Sequence, residues 1–232
     1  MGVKTNELTK GRIFSAVIFI LMLTTFFIFL SGKWFWIEGW IFSIWLIVIY
    51  LSISIYLHSK DTELLAERLR KPGTGNEKNW DKYIVYALVI LFLGWFLVSP
   101  LDIRYVWTTG FPLWLKISGG ILLIPSFFFI YRSYTDNTFL SPLVRIQDER
   151  KQYLVSTGVY GFVRHPMYLG GILMVIGVPM MLGSKYGIVM GAIMSFIIAA
   201  RIIGEEKMLM VELEGYGDYK RRVKNRLVPF LW

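Results

Sequence analysis

The chain has 232 residues, of which 55% are hydrophobic, and its mean hydropathy is +0.53. A soluble domain of this length rarely carries so much apolar surface. Because the chain has no cysteine, disulfides, thiolate nucleophiles and cysteine-ligated metals are excluded, and its two histidines argue against a histidine-rich metal site. The formal net charge of +9 could indicate a nucleic-acid partner, but the distribution of the charges, described below, argues against one.

Six uncharged apolar runs follow one another along the chain. They cover residues 13–32, 39–57, 83–101, 117–131, 167–184 and 186–200. A helix rises about 1.5 Å per residue, so a run of about 20 residues covers the roughly 30 Å hydrocarbon core of a bilayer. The two 15-residue runs, 117–131 and 186–200, either extend at their ends or form a partly re-entrant pair. The sequence therefore predicts an all-α fold, a polytopic membrane helical bundle of about six spans.

Lysine and arginine are distributed unequally between the connecting segments. Of the 25 residues of these two types, 21 lie in the N-terminal segment, the loops 58–82 and 132–164, and the tail from Arg201. The other three loops hold the remaining 4. This asymmetry follows the positive-inside rule and predicts a multi-pass protein with cytoplasmic N and C termini. It points to membrane lipids rather than nucleic acid as the partner of the basic segments, since no soluble domain presents the charges.

The loop after the second run contains a short amphipathic segment, residues 61–70. Asp61 or Thr62 is the candidate N-cap, and Lys71-Pro72-Gly73 predicts where the helix ends. We interpret this segment as an interfacial helix that lies on anionic headgroups.

Polar residues concentrate after residue 131. The first four runs, within residues 1–131, therefore indicate a transmembrane scaffold, or walls for an apolar ligand. Residues 132–232 comprise a long polar loop, a helical hairpin and a basic tail, and we expect the functional site there.

The segment Arg164-His-Pro-Met-Tyr168 stands at the mouth of the fifth run. Pro166 suits the first position of a helix, because its φ is fixed and it lacks an N–H. The helix dipole favours the neutral form of His165, which is then able to donate a hydrogen bond to a ligand. The simpler interpretation is positional, since arginine and tyrosine often anchor helix ends at a membrane interface.

Residues 201–209 continue directly from the sixth run. Arg201 and Glu205 are four residues apart and therefore share one helical face. Charges at the end of a membrane helix are costly unless they face a partner or a water-filled cavity. The alternative is a solvated helix end in the headgroup region. Together with the loop 132–168, this segment indicates a polar pocket at the cytoplasmic surface, suited to a zwitterionic, hydroxyl-bearing cofactor.

These segments resemble the signature of the isoprenylcysteine carboxyl methyltransferase family, which includes membrane phospholipid methyltransferases. The first half is IQDERKQYLVSTGVYGFVRHPMYLG at residues 146–170. The second half is R-x3-EE-x2-L at residues 201–209, followed by EGYGDY-x3-V at 214–223 and R-x2-P at 226–229. The likeness extends over about residues 132–232.

The resemblance implies an integral-membrane methyltransferase that transfers a methyl group from S-adenosylmethionine to a lipophilic acceptor, an isoprenylcysteine carboxylate or another lipid-like substrate. It implies that residues 132–232 are a catalytic region with a cofactor-wrapping loop and a cofactor pocket on the cytoplasmic face. Arg201 matches the family's arginine near the methyl-accepting group and is, with Glu205, an implied catalytic residue. The implied cofactor-binding residues are Gln147, Gln152, Tyr153, Leu154, Val155, Tyr160, His165, Pro166, Met167, Tyr168 and Glu205.

Two positions depart from the family pattern: Gln152 stands where many relatives have histidine, and Lys151 stands where bacterial relatives often have glycine.

Two other classes of protein remain open at this point. The first is a sterol-reductase-like membrane oxidoreductase that uses NADPH, whose tail typically carries a lysine–cysteine pairing that this cysteine-free chain lacks. The second is a non-enzymatic membrane scaffold or transporter. Against it, the inner runs lack the buried charges that mark transport paths.

Overall fold

The computed structural model describes the backbone of residues 2–69 and 76–228 and the side chains of residues 15–69 and 76–228. Over these residues the chain is helical with connecting loops and has no β-strand. Lys71-Pro72-Gly73, predicted to end the loop helix, and Pro229 of the tail motif lie outside them. The described α-helices are α1 (Gly2–Ser31), α2 (Ile37–Lys60), α3 (Thr62–Arg68), α4 (Asn79–Tyr105), α5 (Leu113–Asp136), α6 (Pro166–Leu182), α7 (Lys185–Glu212) and α8 (Tyr216–Arg222).

Each of the six apolar runs falls on its own helix, with runs 13–32 and 167–184 extending one and two residues past the ends of α1 and α6. Helices α2, α4, α5 and α7 have the length and hydropathy to cross a membrane, and α6 is an apolar helix of 17 residues. In α1, the residues with described side chains, Ser15–Ser31, are apolar as well. The two 15-residue runs are extended at their ends, because α5 has 24 residues and α7 has 28. The chain is thus an integral membrane protein, and the predicted all-α bundle is confirmed.

Helices α5 and α6 approach each other closely along a line of small residues. Gly119 of α5 faces the backbone of Gly177 and Met181 in α6. Further along the same contact, the Ser126 hydroxyl donates a hydrogen bond of 2.8 Å to the carbonyl oxygen of Gly170. Small residues allow such close backbone contact. Close packing stabilises helix association in lipid, where the hydrophobic effect does not drive helices together.

Replacing Gly119 with alanine is expected to destabilise the bundle by about 1–3 kcal/mol, the usual cost of forcing an extra methyl into a packed interior. Its Cβ would collide with the Met181 nitrogen and the Gly177 oxygen. Gly120→Ala is the matched control, since a Cβ there meets the Met181 Sδ at an ordinary 3.7 Å. Unfolding of the purified protein in detergent measures both variants. Equal stability of the two would contradict close packing at Gly119.

Two tryptophans, the half-buried Trp45 and the buried Trp95, each tie two helices together. The Trp45 indole of α2 donates to the Leu123 carbonyl oxygen of α5 at 3.1 Å. The Trp95 indole of α4 donates to the Val175 carbonyl oxygen of α6 at 2.9 Å. A buried indole N–H requires such an acceptor, so each bond both satisfies the donor and fixes the position of one helix against another.

Helix α3 packs on the protein itself. Asp61 is its N-cap, and its Oδ1 accepts a hydrogen bond of 2.9 Å from the Leu64 nitrogen. Leu64 and Leu65 are buried against α2 and α5, and Glu67 pairs with Arg145 of the α5–α6 loop. The predicted helix and cap are therefore present, but its apolar face is covered by the bundle, which differs from a helix that only lies on headgroups.

Candidate active site

A cavity of about 360 Å³ lies where the α5–α6 loop meets the ends of α6 and α7. This volume is within the range of small-molecule sites. Its wall is formed by residues 137–145 and 152–155 of the loop, residues 164–168 at the start of α6, and the second half of α7. Tyr216 and Tyr219 of α8, Arg68 of α3, Leu88 of α4 and Tyr160 also line it.

The cavity wall includes every residue that the family resemblance implied for the site except Gln147. These residues come from three separate segments of the chain: the loop, the first turn of α6 and the end of α7. Pro166 occupies the start of α6 and His165 is its N-cap, as predicted. Arg201 and Glu205 face the same cavity, as their four-residue spacing indicated.

Gln147 has a different placement from the one expected. Its side chain is fully buried, donates to the Phe139 carbonyl oxygen at 2.7 Å and accepts from Arg150 at 2.8 Å. Its backbone nitrogen donates to the Gln152 side-chain oxygen at 2.8 Å. We therefore assign Gln147 to the inside of the loop, where it holds Gln152 and Phe139 in place for the wall.

Lys151 adopts the conformation that glycine favours. Its φ of 49° and ψ of 52° lie in the left-handed region. A residue with a Cβ is disfavoured there by roughly 1–2 kcal/mol. The loop therefore makes the turn that a glycine would make, although the sequence places a lysine at this position.

Arg201 has its charge balanced inside the protein. Its Nε and Nη2 donate to the two carboxylate oxygens of Asp81 at 2.6 and 2.8 Å, and Nη2 also donates to the Pro142 carbonyl oxygen at 2.9 Å. Asp81, at the start of α4, is completely buried and accepts a further bond of 2.7 Å from the Val144 nitrogen. The pair joins α4, α7 and the cavity loop, and leaves less of the guanidinium for a substrate carboxylate than the sequence indicated.

Glu205 is the acidic side chain among the described residues that line the cavity. The Tyr168 hydroxyl donates to its Oε2 at 2.6 Å. The guanidinium of Arg201 lies over the Tyr168 ring, 5.5 Å from its centre. Tyr168 is thus held between a cation over its ring and an anion at its hydroxyl, and it orients the Glu205 carboxylate.

Glu206 is the centre of a buried charge network. Its Oε1 accepts from Arg164 at 2.7 Å and lies 3.3 Å from His165 Nε2, and its Oε2 accepts from Arg226 at 3.0 Å. Arg164 also donates to the Val223 carbonyl oxygen at 2.6 Å. His165, which is predicted to face a ligand, lies on the cavity wall, and its Nε2 also contacts the Glu206 carboxylate.

The same network fastens the tail to the start of α6. The Arg164 backbone nitrogen donates to the Asn225 carbonyl oxygen, and the His165 backbone nitrogen donates to the Arg226 carbonyl oxygen, both at 3.0 Å. Sequence reasoning missed Glu206 and Asp81, because their partners are 42 and 120 residues away in the chain. The one local signal was that a charge in or beside an apolar run requires a partner.

Three tyrosines supply neutral donors beside these charges. Burial raises the pKa of Tyr160, Tyr216 and Tyr219, so all three remain protonated phenols. The Tyr219 hydroxyl donates to the Tyr160 carbonyl oxygen at 2.7 Å. The Tyr216 hydroxyl is buried at the cavity wall, with no hydrogen-bond partner among the described residues. A buried hydroxyl without a partner is costly, so this one fits a polar ligand in the cavity.

The donor set fits a cation that also bears hydroxyls and an apolar surface. Glu205 provides a carboxylate, Tyr216 a free hydroxyl, and Leu154, Met208 and Leu209 an apolar wall. S-adenosylmethionine has these features, so the residues present fit the cofactor that the motifs imply.

Comparison of the sequence with known proteins finds similar proteins and a matching family model. Residues 114–218 match the family model described as phospholipid methyltransferase. Protein-S-isoprenylcysteine O-methyltransferase B of Arabidopsis thaliana is 30% identical over 130 residues, which cover 55% of this chain and 62% of that protein. Protein-S-isoprenylcysteine O-methyltransferase A of the same plant is 28% identical over 153 residues, covering 63% and 74%.

Among solved structures, the eukaryotic intramembrane Ras methyltransferase, an isoprenylcysteine carboxyl methyltransferase, aligns with a TM-score of 0.48 at 19% identity. That alignment covers 99% of this chain and 87% of the other.

The helical bundle defines a polytopic membrane protein. Its matched region is similar to the phospholipid methyltransferase family model and to the two isoprenylcysteine O-methyltransferases, which confirms the resemblance seen in its motifs. The matched segment spans less than two thirds of the first relative's length.

Proposed function

We propose that this protein is an integral-membrane methyltransferase that uses S-adenosylmethionine and methylates a lipophilic acceptor, an isoprenylcysteine carboxylate or another lipid-like molecule. The observation that carries the proposal is the cavity itself. It brings Glu205, Tyr168 and the loop 152–155 together at the ends of membrane helices. A site at this level is accessible to a water-soluble cofactor from one side and to a lipid from the bilayer.

The residues of this chain act mainly by positioning. When bound, S-adenosylmethionine supplies an electrophilic methyl group on a positively charged sulfur. Glu205, held by Tyr168, provides the negative charge that stabilises a cation in the cavity. Tyr216 and Gln152 provide hydrogen bonds, and the loop and α8 restrict access of water. Holding two reactants in line at near-attack distance supplies most of the rate enhancement in such a transfer.

Arg201 has a positioning role in this proposal. Because Asp81 already balances its charge, Arg201 fixes the cavity wall and the Tyr168 ring, and any contact with an acceptor uses only the remaining edge of its guanidinium. The positive-inside count supports a cytoplasmic location for this wall and for both termini. The acceptor enters from the bilayer, past the apolar wall residues Leu88 and Ile198.

Glu205→Gln is expected to weaken the binding of S-adenosylmethionine about 10- to 100-fold, because an interaction with a charged group contributes about 1.5–3 kcal/mol. Calorimetry on the purified wild type and variant measures this. Glu212→Gln is the matched control, since Glu212 is on the same helix, pairs with Lys78 and lies outside the cavity wall. Unchanged binding in the Glu205 variant would remove Glu205 from the site.

The same measurement with NADPH tests the alternative class. Heat with NADPH and none with S-adenosylhomocysteine would indicate a membrane oxidoreductase, and heat with neither a scaffold or transporter. The acceptor is identified by mass spectrometry of lipid extracts after incubation with isotopically labelled methyl donor.

A further inference from the structure

Four arginines among the described residues line the cavity, and three of them are balanced by carboxylates behind the wall. Arg201 pairs with Asp81 and Arg164 with Glu206. The third, Arg145, donates from Nε and Nη2 to the two oxygens of Glu67 at 3.0 and 2.8 Å. Burial by itself would lower the pKa of Arg145, but Glu67 and Glu149 more than compensate and raise it. These three guanidiniums hold the wall together.

Arg68 differs from the other three. It stands at the C-terminal end of α3, is half-buried, and its guanidinium lies 5.1 Å from the centre of the Tyr134 ring. Within the part of the chain that the structure describes, this cation–π contact is its one interaction, with no hydrogen bond or ion pair to a carboxylate. A guanidinium has five N–H donors, so a half-buried guanidinium with no acceptor is suited to bind a ligand that supplies an acceptor.

The surroundings of Arg68 fix it in place before any ligand arrives. The Asp61 cap and the buried Leu64 anchor the start of α3, and the Glu67–Arg145 pair anchors its end. Tyr134 covers one face of the guanidinium, which leaves the N–H edges for hydrogen bonding. A pre-positioned side chain loses little entropy when it binds a ligand.

We propose that Arg68 binds the carboxylate of a ligand held in this cavity. The guanidinium fork matches a carboxylate in a bidentate arrangement, and such charge-assisted bonds are the stronger ones. The cavity wall then presents one unbalanced cation, Arg68, and the Glu205 carboxylate. This inference rests on the proposed function. Two ligands of that function carry a carboxylate, namely the amino-acid end of the methyl donor and an isoprenylcysteine acceptor.

Arg68→Gln separates these two sources. If the methyl donor provides the carboxylate, calorimetry should show S-adenosylhomocysteine binding about 10- to 100-fold more weakly. If the acceptor provides it, binding of S-adenosylhomocysteine is unchanged, and the KM for N-acetyl-S-farnesylcysteine rises by a similar factor while kcat changes little. In that case, the carboxamide of the same compound should bind wild type and variant equally. Arg68→Lys keeps the charge but not the fork, so an intermediate effect is expected.

Arg104→Gln is the matched control. Arg104 lies 5.8 Å from the Tyr105 ring, is exposed and is not part of the cavity wall. If the Arg68 variant has the same thermal unfolding midpoint as the control variant, it is folded. If a folded Arg68→Gln binds both probes as the wild type does, the proposal for Arg68 is wrong while the proposed function stands. If the wild type binds neither probe, the proposed function itself fails and the role of Arg68 fails with it.

Discussion

Glu206→Ala is expected to destabilise the protein by about 3–5 kcal/mol, the range for removing one partner of a buried ion pair. The side chains of Glu206 and Arg164 are each only 3% exposed, so the alanine leaves a buried guanidinium without its carboxylate. Arg226 loses the same partner, and His165 loses the contact that holds its ring. Unfolding of the purified protein in detergent measures the loss.

The Glu206 network also predicts where the damage appears. Arg164 and His165 hold the backbone of residues 223–226, so this segment should loosen when the network is broken. Trypsin should then cleave after Lys224 faster than in the wild type, since proteolysis follows local opening. Binding of S-adenosylhomocysteine should fall as well, because Arg164 and His165 line the cavity.

Glu212→Ala and Glu206→Gln are the comparisons for this experiment. Glu212 is on the same helix, but its pair with Lys78 is about one third exposed and is expected to contribute under about 1 kcal/mol. Glutamine at 206 keeps one acceptor oxygen and is expected to fall between alanine and the wild type. If Glu206→Ala unfolds and is cleaved like the Glu212 variant, Glu206 does not organise the site.

Asp81→Ala is the second change with a large expected effect, again about 3–5 kcal/mol of stability. It removes the two carboxylate acceptors of Arg201 and the acceptor of the Val144 nitrogen. Because these bonds join α4 to α7 and to the cavity loop, the cavity wall should lose its shape, and S-adenosylhomocysteine should bind more weakly. Asp218→Ala is the control, since that carboxylate lies on α8 and is 78% exposed.

A double-mutant cycle separates the pair from its parts. In Asp81→Ala/Arg201→Ala no buried charge is left unpaired, so the double variant should be less destabilised than the sum of the two single variants, by about 0.5–3 kcal/mol. Additive effects would mean that Arg201 does not depend on Asp81. In that case Arg201 would again be available as the residue that orients an anionic acceptor.

Much of the site could be predicted from local sequence, because its residues are concentrated in two segments. Pro166 began a helix as its fixed φ indicates, and Glu205 faced the same cavity as Arg201 because they are one turn apart. Gln147 is buried inside the loop rather than on the cavity wall, which local sequence does not indicate, since it does not show which side of a loop is buried. Arg68 was not considered at all, because its helix looked like a surface feature.

The sequence by itself determined the membrane bundle and the family resemblance. Both follow from near-neighbour properties: apolar runs set the helices, and short motifs at fixed spacing mark the segments that line the cavity. Only the tertiary structure decided how each buried charge is balanced. Whether Arg201, Arg164 or Arg68 has a carboxylate partner depends on residues that are far away in the chain, such as Asp81, which lies 120 positions from Arg201. Burial makes such pairing decisive for energy, because a charge removed from water needs a partner nearby, and only folding brings that partner within reach.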